Sequence, residues 1–386
     1  MSGPSFAALL GQAWRLQLGE PWLRLLMLWL PPVLFFLLWA IMSAGQARDL
    51  PIAVVDLDNS PLSRSLVRHY DLSPTLAVAE RFDDVAQAGA ALRAGTVYAL
   101  VVLPAGLEAD TRRGRLPQVT AQVNNQFLLV GRMINSALTL AHGDAVTRLK
   151  VRVGLAESGA ASLALAAAAP YALRLVPLYN GNTDYARFLV SAMLPAAWQI
   201  LTVAAAVLAL ATTRRLSGLQ DWPGRRPIAA LLATLLPPFT LLAAHGLLFT
   251  VALHLGLDWP MRGSWVVLVA AQLLASSAMV SAGALCYFIT QDGARGLSLA
   301  AAYSAPGLAF MGVTYPASDM NPLAALWRQL MPVSHYIEIH MAQAHDGAAP
   351  LASQPQFAAL AAFLLLLLFP MARAHSLARS GGPATT

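Results

Sequence analysis

The stretch LLMLWLPPVLFFLLWAIMSA, Leu25–Ala44, contains no charged side chain over a length that can cross a bilayer as a helix. A hydrocarbon core about 30 Å thick needs about 20 apolar residues at helical rise. Comparable blocks follow at Phe188–Ala211, Ala229–Leu255, Trp265–Thr290, Leu297–Val313 and Phe357–Met371, the last two near the short limit. Between the first and second blocks lies a polar stretch of about 140 residues. The pattern predicts an all-α bundle of six transmembrane helices with one sizeable domain outside the bilayer.

The composition agrees. A chain of 386 residues with 11% charged residues and a mean hydropathy of +0.58 does not fit a soluble globular profile. The net charge of +6 is not gathered on one element, so it does not point to nucleic acid. It is distributed by loop. One set of short loops carries Arg15, Arg24, Arg214, Arg215, Arg225, Arg226, Arg295, Arg373 and Arg379 against Glu20, Asp221 and Asp292. The opposite set carries Arg262 and Arg328 against Asp258, Asp319, Glu338 and Asp346. Lys and Arg accumulate in short cytoplasmic loops, whereas long translocated domains escape the rule. Both termini are therefore expected in the cytoplasm, with residues 45–186 outside; six crossings satisfy that parity.

Cys286 is the one cysteine, so the outer domain must rely on its own core rather than on a disulfide. Met42-Ser43-Ala44 resembles a leader cleavage site. The proline pair Pro31-Pro32 and the amphipathic stretch upstream favour a retained span instead. In that stretch Phe6, Leu9, Leu10, Ala13 and Trp14 recur at helical spacing with Gln12 and Arg15 opposite, as in a helix lying along the membrane surface.

The outer domain reads as alternating strand and helix. Pro51–Asp56 is a β-branched run, and Ser60-Pro61 caps and opens a helix reaching about Tyr70. Thr75–Ala79 reads as a strand, and Asp83 as the cap of a helix ending before Gly95. Thr96–Leu103 is a third strand, Pro104 and Gly114 bracket a short helix, and Pro117–Val123 is a fourth strand. From Gln126 the period becomes helical and continues with breaks towards Ala168. This order predicts a mixed α/β domain.

Little catalytic chemistry is visible. The single lysine, Lys150, has no glycine-rich loop beside it, so the chain is expected to lack a nucleotide site and to need no cofactor. The polar residues within spans, Gln199, His245, His254 and Gln272, suit helix–helix hydrogen bonds better than a proton relay. His335, Glu338, His340 and His345 lack a zinc-enzyme spacing. Asp56-Leu57-Asp58-Asn59-Ser60 lacks the later glycine and glutamate of a calcium loop, and reads as a strand-to-helix turn.

Several segments together resemble the permease subunits of ABC-2 type exporters, in the branch with a large periplasmic domain between the first two spans. Asp49–Ser60 is similar to that branch's strand followed by D-x-D-x-S, with Asp56, Asp58 and Ser60 in the motif. Leu178-Tyr179-Asn180 and Asp184–Val190 resemble the re-entry into the second span. Ala309–Pro316, Met320-Asn321-Pro322 and Met331–Tyr336 resemble the signature F-x-G-x-x-[FY]-P…M-P…P, with Gly312, Pro316, Met320, Pro322 and Pro332. Its prolines suit a re-entrant or external segment at about 312–350.

The resemblance implies an ABC ATP-binding subunit, a second permease copy or sister permease, and in some members a periplasmic adaptor and an outer-membrane channel. It implies residence in a bacterial inner membrane and export of hydrophobic or drug-like compounds. The ATPase would meet the amphipathic helix, through Trp14 and Arg15, and the loop after the second span, through Arg214, Arg215 and Asp221. That loop lacks the family's glutamate-rich R-E-x-E-x-G-T-x-E run. The expected organisation is a surface helix at 1–22, a first span at 23–44, the periplasmic domain at 45–186, five spans within 187–371 and a tail at 372–386. A non-transporting scaffold whose outer domain binds a partner shares this topology, and an ion-coupled carrier would need intramembrane carboxylates.

Overall fold

The computed structural model describes residues 4–43, 47–115, 117–158, 184–217, Trp222 and 225–380. It divides into two compact units, Met1–Gly45 with Leu178–Thr386, and Gln46–Pro177. Leu178-Tyr179-Asn180, the helical continuation past Ser158, Asp221 and residues 381–386 of the C-terminal tail lie outside the described residues.

The membrane unit opens with α1, Phe6–Gly19, whose N-cap Ser5 side chain accepts from the Ala8 amide at 3.2 Å. The packed face of α1 follows the expected stripe at Leu9, Leu10, Ala13 and Trp14, with Gln12 and Arg15 exposed opposite; Phe6 departs from it and Gln17 joins it. Ala13 and Gln17 are its buried residues, while Phe6 is exposed. Gln17 Nε2 donates to the Thr234 carbonyl at 2.8 Å, so a polar side chain anchors this helix. Helix α2, Pro21–Met42, contains Pro31 and Pro32, which remove two backbone donors. The preceding turn, Leu25–Trp29, is wound as a π-helix, the Leu30 amide reaching back to the Leu25 carbonyl.

The second unit carries a four-stranded sheet in the order β2-β1-β3-β4. The chain runs through β1 (Leu50–Asp56), α3 (Pro61–Asp71), β2 (Leu76–Phe82), α4 (Val85–Ala94), β3 (Ala99–Leu103), α5 (Leu107–Arg112), β4 (Thr120–Val123) and α6 (Leu128–Ser158). Strand β1 pairs in parallel with β2 and β3, and β4 closes the edge antiparallel to β3. Alternation along β1 sorts the core. Ile52 and Val54 pack with Leu66, Tyr70, Ile134 and Leu138 of α3 and α6. Ala53 and Val55 pack on the other face with Ala88 of α4. The order of strands and helices is the one expected, with local corrections. The cap of α4 is Asp84 rather than Asp83: Asp84 is extended and accepts from the Ala86 amide at 3.1 Å. The second strand runs on to Phe82, and the fourth begins at Thr120 rather than Pro117.

The chain then returns to the membrane unit as α7 (Tyr185–Leu216), α8 (Pro227–Gly256) and α9 (Trp265–Thr290). It continues through α10 (Gly293–Ser304), α11 (Gly307–Phe310), α12 (Pro322–Gln329), α13 (Pro332–Met341) and α14 (Pro350–Arg379). Among the described residues five helices are long and apolar enough to span: α2, α7, α8, α9 and α14. The expected fifth span, Leu297–Val313, is not one helix. Pro306 has no amide to donate, and the block is divided there into α10 and α11.

Small residues let these helices approach closely. A Cβ on Gly283 of α9 would stand 2.5 Å from the Val203 carbonyl oxygen and 2.7 Å from Ala206 Cβ of α7. One on Gly246 of α8 would collide with the Gln272 side chain of α9. Polar side chains tie the same helices: Trp198 Nε1 donates to the Leu242 carbonyl at 2.9 Å, and Thr250 Oγ1 to Gln272 Oε1 at 3.1 Å. His245 instead bonds to Leu241 within its own helix.

In the α/β unit, Tyr70 of α3 meets His142 Nδ1 of α6 at 2.8 Å. Burial pushes the Tyr70 hydroxyl up to about 12 and holds His142 below its ordinary value. Tyr70 is therefore the donor and neutral His142 the acceptor. The unfolded chain takes up this proton before the folded one. The stabilisation is complete above the unfolded histidine value of 6.5 and is lost as pH falls below it. The protection factors of the Pro61–Asp71 amides, with the intrinsic exchange rate divided out, should fall between about pH 7 and 5, and His142→Gln should flatten that dependence. An unchanged slope in the variant would remove His142 as its source.

Candidate functional site

The signature residues fall in a folded chain of short helices between α10 and α14, not in one cluster. Pro316 and Pro322 are exposed, Met320 is half-buried and Pro332 is buried. Their backbone roles explain the residue types. Asn321 caps α12 by accepting from the Ala324 amide at 2.9 Å, with Pro322 at the first helical turn; Pro332 occupies the same position in α13. Gly312 has φ +93°, and a Cβ there would stand 3.3 Å from Arg328 Nε. Glycine is needed both for that conformation and for the guanidinium beside it.

Arg328 organises this segment. It is 6% exposed and pairs with Glu338, whose second oxygen accepts from Gln356 Nε2 at 2.7 Å. The pair joins α12 to α13, and Gln356 joins both to α14. The first turn of α13 is held to α7, because the Val333 amide donates to Gln199 Oε1 at 2.9 Å. Gln343 Oε1 accepts from the Ser264 amide at 2.9 Å, and Tyr303 donates to the Leu330 carbonyl at 2.6 Å. Thus the proline-broken stretch is tied to its neighbours both ways: Gln199 and Tyr303 serve its Val333 amide and Leu330 carbonyl, and its own Gln343 serves the Ser264 amide. His335 donates to the Gln329 carbonyl and shares no partner with Glu338. His340 meets His254 of α8, Nε2 to Nε2, at 3.2 Å.

A second constellation lies where α1 meets α2. Arg215 at the end of α7 pairs with Glu20 at 2.7 Å. Around them a cleft of about 770 Å³ is lined by Glu20, Trp22, Arg214, Arg215 and, from the α9–α10 turn, Gln291 and Asp292. Asp292 caps α10 by accepting from the Arg295 amide at 2.8 Å, and Gln291 stands at φ +53°. Of the residues expected to couple to an ATPase, the structure brings Arg214 and Arg215 into this cleft. Trp14 and Arg15 lie further back on α1; Arg15 is exposed and donates to the Gly11 carbonyl. Trp222 is buried against Phe288.

The D-x-D-x-S turn is built for folding. Asp56 accepts from the amides of Asp58 and Asn59 and from Ser63 Oγ, while Ser60 and Ser63 exchange hydrogen bonds in a capping box. Asp58 Oδ2 accepts from the Glu108 amide at 3.0 Å, tying the turn to α5. Burial raises the Asp58 carboxyl. The hydrogen bonds from Ser60 and the amides of residues 106–108 outweigh it and hold the group below its usual range.

Residues 21–371 match the family model described as ABC-2 family transporter protein. The chain belongs to the ABC-2 transporter family. No curated protein and no solved structure matches it significantly. The ABC-2 chain is thus a multi-pass membrane protein and the permease part of an ABC transporter, a class that works with an ATP-binding partner.

Sequence reasoning missed the Arg328–Glu338–Gln356 set, reading Arg328 only as a loop charge. The available signal was an arginine and a glutamate flanking the Met331-Pro332 helix start. Removing the half-buried Glu338 leaves the buried Arg328 charge uncompensated. Glu338→Ala should therefore lower stability by roughly 2–3 kcal/mol, while Arg328→Met with Glu338→Met should lower it less. Thermal unfolding of the purified ABC-2 chain measures both; strictly additive single effects would dissolve the proposed pair.

Proposed function

We propose that this ABC-2 permease is the membrane half of an ATP-driven exporter, that it holds no nucleotide site of its own, and that a separate ATP-binding chain docks at the α1–α2 junction. The observation that supports this most is the Glu20–Arg215 pair and its cleft. They join the N-terminal helix, the end of α7 and the α9–α10 turn at one place. These segments carry the basic loop residues expected on the cytoplasmic side. Displacement of α1 by the ATPase would reach α8 through Gln17 and Thr234, and displacement of the α9–α10 turn would reach α7 through the Gly283 contact.

In this reading α10 and α11 together make the remaining crossing. Both termini then lie in the cytoplasm of a bacterial inner membrane, and the unit Gln46–Pro177 lies in the periplasm. The largely exposed faces of α2 and α14 would meet lipid and a second permease copy, alike or a sister chain. The periplasmic unit would be the surface for an adaptor leading to an outer-membrane channel. The cargo would be a hydrophobic or drug-like compound moving outward through the spans.

The test is co-purification with a co-expressed cognate ATP-binding chain, paired with drug accumulation in a deletion strain. Wild type should retain the partner, and Arg214→Glu with Arg215→Glu should reduce its recovery about tenfold. The deletion should raise accumulation. Undiminished recovery with the charge reversal would remove the cleft from the docking surface, and unchanged accumulation would remove export.

A further inference from the structure

The α/β unit contains a cavity of about 470 Å³ between α3, α5 and α6, with every lining residue inside that unit. Its volume falls within the range of small-molecule sites, about 300–1,000 Å³. The floor is apolar: Leu66, Leu107 and Ala145 are buried core residues that also face the cavity. The rim is cationic, with Arg115, Arg148, Lys150 and Arg152 against one acid, Glu108. Glu108 is engaged by Arg112, Arg115 by Asp110 at 3.2 Å and Arg148 by Asp144 at 2.7 Å. Among the described residues Lys150 and Arg152 face no carboxylate within ion-pair distance, and both are exposed on α6.

Buried apolar residues facing a cavity beneath cations that meet no carboxylate among the described residues match a molecule with an apolar body and an anionic head. We propose that this cavity is a binding site for a small amphiphile carrying a carboxylate or sulfonate, its body on Leu66, Leu107 and Ala145 and its head at Lys150 and Arg152. Charge–charge attraction and hydrogen bonding at the rim select the sign of the ligand, and burial of its apolar body supplies affinity. The site goes beyond the permease reading and does not depend on it.

Calorimetric titration of the full chain in phosphatidylcholine nanodiscs, against empty discs, tests the site with naphthalene-2-sulfonate. Its cationic counterpart, naphthalen-2-ylmethylammonium, is the control. The sulfonate should bind one to one and the ammonium at least about tenfold more weakly. Lys150→Gln with Arg152→Gln should weaken the sulfonate about five- to tenfold, as the loss of two exposed charge pairs requires. These exposed substitutions leave the core intact, and an unchanged unfolding temperature checks that. Equal binding of the two naphthalenes, wild-type affinity in the double variant, or heats matching empty discs would each overturn the proposal. So would loss of sulfonate binding when phosphatidylglycerol is added to the discs, since the rim would then belong to a lipid headgroup.

Discussion

Lipid tails are as apolar as leucine, so helices inside a bilayer gain little from hiding apolar surface against one another. What holds the membrane unit together is close approach, and the α7–α9 contact is its tightest seam. Gly283 of α9 lies against the Val203 carbonyl and Ala206 with no room for a methyl group. Gly296 of α10 repeats the device against Val207, a Cβ there standing 2.9 Å from its Cγ1. With α7 thus enclosed, Trp198 reaches the Leu242 carbonyl and Gln199 reaches the Val333 amide. The seam therefore fixes both the helix bundle and the broken segment that packs on it.

That segment meets a second constraint. A chain interrupted by Pro306, Pro316, Pro322 and Pro332 cannot satisfy its backbone by helical hydrogen bonds alone. In a membrane protein the freed groups must find partners inside the protein or at water. Here Gln199, Asn321 and Tyr303 serve the Val333 amide, the Ala324 amide and the Leu330 carbonyl, and the Arg328–Glu338 pair links α12 to α13.

Much of this was legible in the residues. Span-length apolar runs are long, local signals, and the blocks at Phe188–Ala211, Ala229–Leu255 and Trp265–Thr290 became α7, α8 and α9. The β-α alternation from Pro51 to Val123 was also legible, because strand alternation, Ser60-Pro61 and Gly95 are short-range devices. The Leu297–Val313 block was not, since its apolar count conceals the helix break at Pro306. The apolar stripe of α1 was legible at Leu9, Leu10, Ala13 and Trp14, but Gln17 was hidden for another reason: it looks like a solvent residue until Thr234 lies opposite it. Arg328 and Glu338 are ten positions apart, and only the α12–α13 turn brings them together. The D-x-D-x-S motif read correctly as a turn, although its link to Glu108 spans too much sequence to foresee.

The central claim is that this ABC-2 permease supplies a path and borrows its energy. The most direct measurement is ATP hydrolysis by the purified chain alone and by the same chain assembled with its cognate ATP-binding subunit in nanodiscs. The chain alone should show no hydrolysis above empty discs, and the assembly should show vanadate-sensitive turnover. Appreciable hydrolysis by the isolated chain would contradict that claim.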